Sequence, residues 1–219
     1  MKFVRFEYEG MTRAGMIEEN MISEISGSFF GDFETTGKRF MLDKVKILLP
    51  HMPSKVVAVG QNYVDHMREM GAEPSDNPIL FVKLPHTVIG PGEAIVIPEG
   101  AARVDYEAEL ALVIKKECRR VGPEEVDGYL LGATCLNDVT EREIQSADGQ
   151  WTRAKNYETF CPIGPFIADG LDYNSLNIGL RLNGQLKQSS NTSNLRWNVQ
   201  ELVSFISYVM PLHPGDVVT

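Results

Sequence analysis

The apolar positions recur mostly in short runs or in alternation, and the chain reads first as strands. In KFVRFEYEG, Val4, Phe6 and Tyr8 alternate with Arg5, Glu7 and Glu9, the period of a strand with one buried face. Gly10 turns the chain, a second short strand follows near Ala14–Ile17, and Gly27, Gly31 and Gly37 break up the rest of this stretch. LLPHMPSK, with Pro50 and Pro53, reads as a linker. Residues 1–53 are therefore expected to form a small β-rich N-terminal domain, and 54–219 a second, larger unit.

The pattern changes from Lys55 onward. KVVAVG and ILFVKLP read as short strands, and IGPGEAIVIPEG carries a strand between Gly and Pro punctuation. VDYEAELALVIKK is the longest strand candidate, and YLLGATCLND is a strand that runs into a polar end. NYVDHMREMG predicts a loop and a short helix ending at Gly71, GPEEVDG a short helix opened by Pro123, and TEREIQSADG a helical turn or two. LRLNGQLKQ is a hairpin, because Asn183-Gly184 is the type I′ turn dipeptide between two strands. In NVQELVSFISYVM, Asn198 and Glu201 form a capping box, and Leu202, Phe205, Ile206 and Val209 form an apolar stripe. Strands outnumber helices, which makes the chain a mixed, β-rich α+β protein. It ends on HPGDVVT, where Val217-Val218 starts a strand, so a distal portion is expected to be missing.

Composition narrows the classes. The 219 residues are 43% hydrophobic and 23% charged, enough for a packed core. With 21 basic and 30 acidic side chains the net charge is −9, which repels phosphate backbones and argues against a nucleic-acid partner. No apolar run approaches the roughly 20 residues of a membrane span, and the N-terminus lacks a signal-peptide hydrophobic region. Three cysteines, Cys118, Cys135 and Cys161, without CxxC spacing fit a reducing, cytoplasmic setting. GxGxxG, GxxxxGK[ST], GxSxG and HExxH do not occur, and the four histidines are scattered.

The strongest chemical signal is DYEAEL. Glu107 and Glu109, two apart on a strand, leave the same face about 7 Å apart at the backbone. Two carboxylates about 4 Å apart at an effective dielectric near 20 cost about 4 kcal/mol, a cost that a cation removes. Asp138, at the polar end of YLLGATCLND, can supply a third oxygen donor. Three carboxylates without His or Cys favour a hard cation, Mg²⁺ or Mn²⁺. The same i,i+2 spacing also fits acids lining a solvated sheet face. His66 and Glu69, three apart in a helical turn, can act as a general base and its orienting partner, or can be an exposed surface pair. Lys155, in WTRAKNYETF, is either a point charge for a substrate carboxylate or an ordinary surface lysine. Arg142 and Gln145 follow Asp138 at four and seven positions, which keeps them on one side if the segment is helical.

As a set, GQNYVDHMREMG, VDYEAELALVI, LNDVTEREIQ and QWTRAKNYETFCPIGPF resemble the fumarylacetoacetate hydrolase (FAH) family, as do NGQLKQSSNTSNLRW and MPLHPGDVVT. The resemblance runs from about Lys55 to the end, and residues 1–50 look like the small N-terminal domain of some bacterial and archaeal members. It implies an FAH-type β-roll with short peripheral helices, and a homodimer. Glu107, Glu109 and Asp138 match the metal ligands, His66 and Glu69 the lid pair, Lys155 the substrate-binding lysine, and Arg142 and Gln145 polar positions of the cleft. The implied substrates are small 2-oxo or 2,4-dioxo acids or their enols. The implied reactions are acylpyruvate or fumarylacetoacetate hydrolysis, isomerisation of 2-hydroxyhepta-2,4-diene-1,7-dioate in aromatic catabolism, or oxaloacetate decarboxylation. A non-catalytic, metal-stabilised scaffold and a ligand-binding module are the readings from other classes. Gln61 departs from the small or aliphatic residue often found before the Asn-Tyr pair, and the family's TGTP-type loop after GDVV lies beyond Thr219.

Overall fold

The computed structural model describes residues 1–71 and 75–219, without the side chains of His66, Glu69 and Met70. The roles expected of His66 and Glu69 therefore lie outside the described residues.

The first fifty residues form five strands, β1 (Lys2–Tyr8), β2 (Met11–Glu18), β3 (Met21–Gly27), β4 (Phe33–Met41) and β5 (Lys46–Leu48). After Pro50 come β6 (Val56–Gly60), helix α1 (Val64–Met70), β7 (Ile79–Lys83), β8 (Val88–Ile89), β9 (Val104–Asp105) and β10 (Ala108–Ile114). A 3-10 turn over Pro123–Tyr129 leads into β11 (Leu130–Asn137), β12 (Thr140–Glu141), α2 (Arg142–Asp148), α3 (Thr152–Lys155) and β13 (Cys161–Ala168). The chain closes with β14 (Asn177–Leu182), β15 (Gln185–Asn191), α4 (Val199–Val209) and β16 (Val217–Val218). Among the described residues no helix is long and apolar enough to cross a membrane.

Twelve strands share one sheet in the order β4-β3-β2-β1-β13-β11-β10-β16-β6-β7, with β5 on β1 and β8 on β13. Most pairs are antiparallel; β16 with β6 and β13 with β8 are parallel. The N-terminal strands join the main sheet through β1, where Lys2 pairs with Ala168. The alternation in β1 puts Val4 and Phe6 into a small core with Ile22, flanked by Tyr8 and Phe40. Phe3, on the opposite face, enters the larger core beside Ile25, Phe29 and Ile167.

Strand β10 explains its own continuous apolar run. Leu112 and Ile114 pack under α4 with Val203 and Ile206, while Ala111 and Val113 face the other core with Val56 and Leu131. A strand buried on both faces cannot alternate.

Three local expectations need correction. The run Ile95–Ile97 forms no strand: Val96 is 59% exposed, and its amide is bound by the Thr159 hydroxyl instead of a neighbouring strand. The second strand is longer than Ala14–Ile17, because β2 pairs with β1 from Met11 to Met16 and with β3 from Ala14 to Glu18. Helix α4 has its capping box of Asn198 and Glu201, but its buried apolar face is Val199, Leu202, Val203 and Ile206, and Val209 is 56% exposed. The shift follows from Ser204 and Ser207, which are buried against the 118–122 loop by hydrogen bonds involving Val121. The Asn183-Gly184 hairpin forms as expected, with φ of 51° and 77°.

Candidate active site

Antiparallel pairing of β10 with β11 brings the carboxylates together. Ala108 lies opposite Asn137, so Glu107 and Asp138 meet at the same end of the ladder, where the Asp138 amide donates to the Glu107 carbonyl at 2.8 Å. The Asn137 side chain accepts from the Glu107 amide at 2.9 Å and holds that end. Glu109, two residues on, lines the same cavity as Glu107, as its strand parity requires.

Helices α2 and α3 bring in the cations. Buried Glu141 caps α2 by accepting from the Ile144 amide, and it also accepts from the Ala102 and Arg103 amides. This anchors Arg142 at the first helical position, where it donates to Gln145 Oε1 at 2.9 Å, to Asp105 Oδ2 at 2.9 Å and to Glu107. Lys155 ends α3 and is only 2% exposed, so it is no surface lysine. Its ammonium bridges Glu107 Oε2 at 2.7 Å and Asp138 Oδ2 at 2.6 Å.

Glu107, Glu109, Asp138, Arg142, Gln145 and Lys155 all line one cavity of about 520 Å³. These are all of the expected site residues whose side chains are described. Trp151, edge-on to Phe81 at 5.3 Å, walls the same cavity. Gln61, in the left-handed region at φ 56°, and Tyr63, at the start of α1, border it too. The Tyr63 hydroxyl is buried and has no partner among the described residues.

Sequence reasoning missed Lys83, Asp105 and Gln188. Lys83 stands at the same parity as Ile79 and Phe81 in an apolar strand, the signal that its ammonium goes inward. It is fully buried and bound to Asp138 Oδ1 at 2.7 Å. Asp105 grips Arg142 and Arg103, and Gln188 accepts from the Ala108 amide at 2.8 Å, which ties the β14–β15 hairpin to the site. Those two contacts are long-range, and no local pattern announces them.

The carboxylates are not equally compensated. Arg103 and Arg142 pair with Asp105, Arg142 and Lys155 with Glu107, and Lys83 and Lys155 with Asp138, while Glu109 has no ion pair among the described residues. Burial pulls the Asp138 carboxyl up, but Lys83 and Lys155 outweigh it and hold it below the usual carboxylate range. Glu109 is pushed well above that range, first by burial and then by Glu107 and Asp138, with Lys155 offsetting only part. Burial also raises the Asp105 carboxyl, and Arg103 and Arg142 outweigh it to leave the group lowered.

Among the described residues no three His, Cys, Asp or Glu side chains stand as a ready metal cage. Arg142 and Lys155 hold Glu107, and Lys83 and Lys155 hold Asp138. The donor set nevertheless fits a hard divalent cation. All its atoms are carboxylate oxygens, Glu109 has no ion pair among the described residues, and the Lys155 ammonium already stands between the other two as a cation.

The chain belongs to the FAH family: the profile of the fumarylacetoacetate (FAA) hydrolase C-terminal family matches residues 55–219. A second profile, Rv2993c-like, N-terminal, matches residues 1–50. An uncharacterised protein of Archaeoglobus fulgidus is 48% identical over 195 residues, which cover 86% of this chain and 78% of that protein. The crystal structure of a 5-carboxymethyl-2-hydroxymuconate delta-isomerase from Mycobacterium smegmatis is 38% identical and superposes with a TM-score of 0.92 over all of this chain and 86% of that one. A maleylpyruvate hydrolase from Sphingobium sp. SYK-6, in complex with manganese(II) and pyruvate, is 27% identical, with a TM-score of 0.81 over all of this chain and 87% of that one. The family neighbours thus include both isomerases and hydrolases.

Proposed function

We propose that this chain is a divalent-cation-dependent enzyme acting on 2-oxo or 2,4-dioxo acids or their enols, as a hydrolase or isomerase of the FAH family. The observation that carries the reading is the gathering of three carboxylates, Glu107, Glu109 and Asp138, on the wall of a cavity of about 520 Å³, where burial and the other two acids disfavour the Glu109 charge. A dication beside these carboxylates would offset the repulsion that disfavours the Glu109 charge and would attract an anionic oxo acid and its enolate. Mg²⁺ or Mn²⁺ fits the all-oxygen donor set, and the neighbouring hydrolase with manganese(II) and pyruvate supports this choice.

A bound ion of this kind supplies Lewis acidity toward carbonyl and carboxylate oxygens. Lys155 pairs its ammonium with negative charge that develops on a substrate oxygen, in a buried setting where that attraction is strong. Arg142, held in place by Asp105 and Gln145, offers its guanidinium to a substrate carboxylate. The family resemblance assigns the proton transfer to His66 with Glu69: to and from water in hydrolysis, between carbons in isomerisation.

The test is a panel of acylpyruvates, 2-hydroxyhepta-2,4-diene-1,7-dioate and oxaloacetate, with product analysis in Mg²⁺ or Mn²⁺ and after chelation. Saturable turnover that chelation abolishes is expected. Oxo-acid binding without product, or thermal stabilisation by Mn²⁺ without turnover, would overturn the enzymatic reading.

A further inference from the structure

Lys83 does not line the cavity, yet it touches two groups that do. Its fully buried ammonium donates to Asp138 Oδ1 at 2.7 Å, to the Lys155 carbonyl at 2.7 Å and to the Val139 carbonyl at 3.2 Å. An ammonium has three N–H bonds, and here each has an acceptor. Those acceptors lie 55, 56 and 72 positions away along the chain. One side chain therefore ties the end of β7 to the residues that follow β11 and to the last residue of α3.

The consequence for Asp138 is directional. With Oδ1 taken by Lys83, the carboxylate cannot rotate freely, and Oδ2 is left facing Lys155 Nζ at 2.6 Å. The same ammonium fixes the main chain of Lys155 through its carbonyl, so the two reactive groups are set relative to each other by a third residue outside the cavity. We propose that Lys83 is a positioning residue that aims Asp138 and Lys155 at the cation and substrate. This rests on the reading of Glu107, Glu109 and Asp138 as the cation site.

Charge and geometry predict opposite effects, which makes the proposal testable. If Lys83 acted only as a nearby positive charge, its removal would tighten cation binding. If it aims Asp138, removal weakens binding, and loss of a partner that orients a metal ligand typically costs about ten- to a hundredfold in affinity.

The experiment is Mn²⁺ titration calorimetry on the full chain, comparing wild type with Lys83→Met, which keeps the side-chain length, and Lys83→Gln, which keeps a donor. Circular dichroism and thermal unfolding establish folding, and steady-state kinetics accompany the titrations. A folded Lys83→Met with at least tenfold weaker Mn²⁺ binding and a lower kcat, and a smaller loss in Lys83→Gln, is the expected result. Equal or tighter Mn²⁺ binding in a folded variant overturns the positioning role while leaving the cation site standing. Failure of both variants to fold assigns Lys83 to structure alone and also overturns it. Absence of Mn²⁺ binding by wild type defeats the site reading itself, and this inference with it.

Discussion

Asp105 and Arg142 are 37 positions apart in the chain and share a hydrogen bond of 2.9 Å. Strands β9 and β12 make this possible, because Thr140 pairs with Asp105 just before α2 begins. The guanidinium is thus held at the cavity wall by an acid that itself stays outside the cluster of Glu107, Glu109 and Asp138. Asp105→Asn should leave the fold intact and loosen Arg142, which keeps its contacts to Glu107 and Gln145. Loss of one charged hydrogen bond costs about 1.5 kcal/mol, roughly a tenfold change. Steady-state kinetics should show it mainly as a raised KM for an oxo-acid substrate. An unchanged KM would remove Arg142 from substrate binding.

Glu109 sits where burial, Glu107 and Asp138 all disfavour its charge. Its raised pKa means that the metal-free fold loses stability as pH rises through the folded value, and that this penalty is absent below the unfolded carboxylate range. Glu109→Gln should therefore stabilise the metal-free protein by about 1 kcal/mol or more, a rise of roughly 2–4 °C in Tm per kcal/mol for a chain of this size. The same change should weaken Mn²⁺ binding. Calorimetric scans and titrations check both, and a variant that loses Tm without metal contradicts the assignment.

Asp216 is buried in the turn before β16 and accepts from Ser54, Lys55 and the His213 amide. Burial raises its carboxyl, but these contacts outweigh it and leave the pKa lowered. A lowered carboxylate contributes stability that is full above its unfolded value, near 3.8, and is lost as pH falls through the folded value. Asp216→Asn should cost about 1–3 kcal/mol at neutral pH and flatten the acid limb of the stability profile below that unfolded value. Urea unfolding at several pH values measures it, and a variant with the wild-type acid limb counts against this account.

Gly60 lies against the Trp151 indole: an added Cβ would meet Cζ3 at 2.2 Å. Gly60→Ala should push the ring from its place beside Phe81, at a cost of about 1–3 kcal/mol for overpacking. Since Trp151 walls the cavity, its fluorescence and the substrate KM should change together. Unaltered emission would show that the wall yields elsewhere.

Much of the fold was legible because its signals are local. Period two in β1, the Asn183-Gly184 turn and the Asn198–Glu201 capping box each act within a few residues, so neighbours in the chain suffice to read them. The pair Glu107 and Glu109 was legible for the same reason, since strand parity alone puts two acids on one face. The Ile95–Ile97 run misled, because an apolar stretch becomes a strand only where a partner strand is free to pair with it. Arg142 and Gln145 could be placed on one helical side, but the partner that locks Arg142 could not be named.

The sequence by itself determined which residues carry charge, which strands have a buried face, and which short helices start and stop where they do. Only the tertiary structure decided that Lys155 is buried between two carboxylates, that Lys83 reaches Asp138, and that Asp105 holds Arg142. The reason is physical: those contacts join residues 17 to 55 positions apart. Their existence depends on strand order and register across the sheet, which a one-dimensional pattern of polar and apolar residues does not specify.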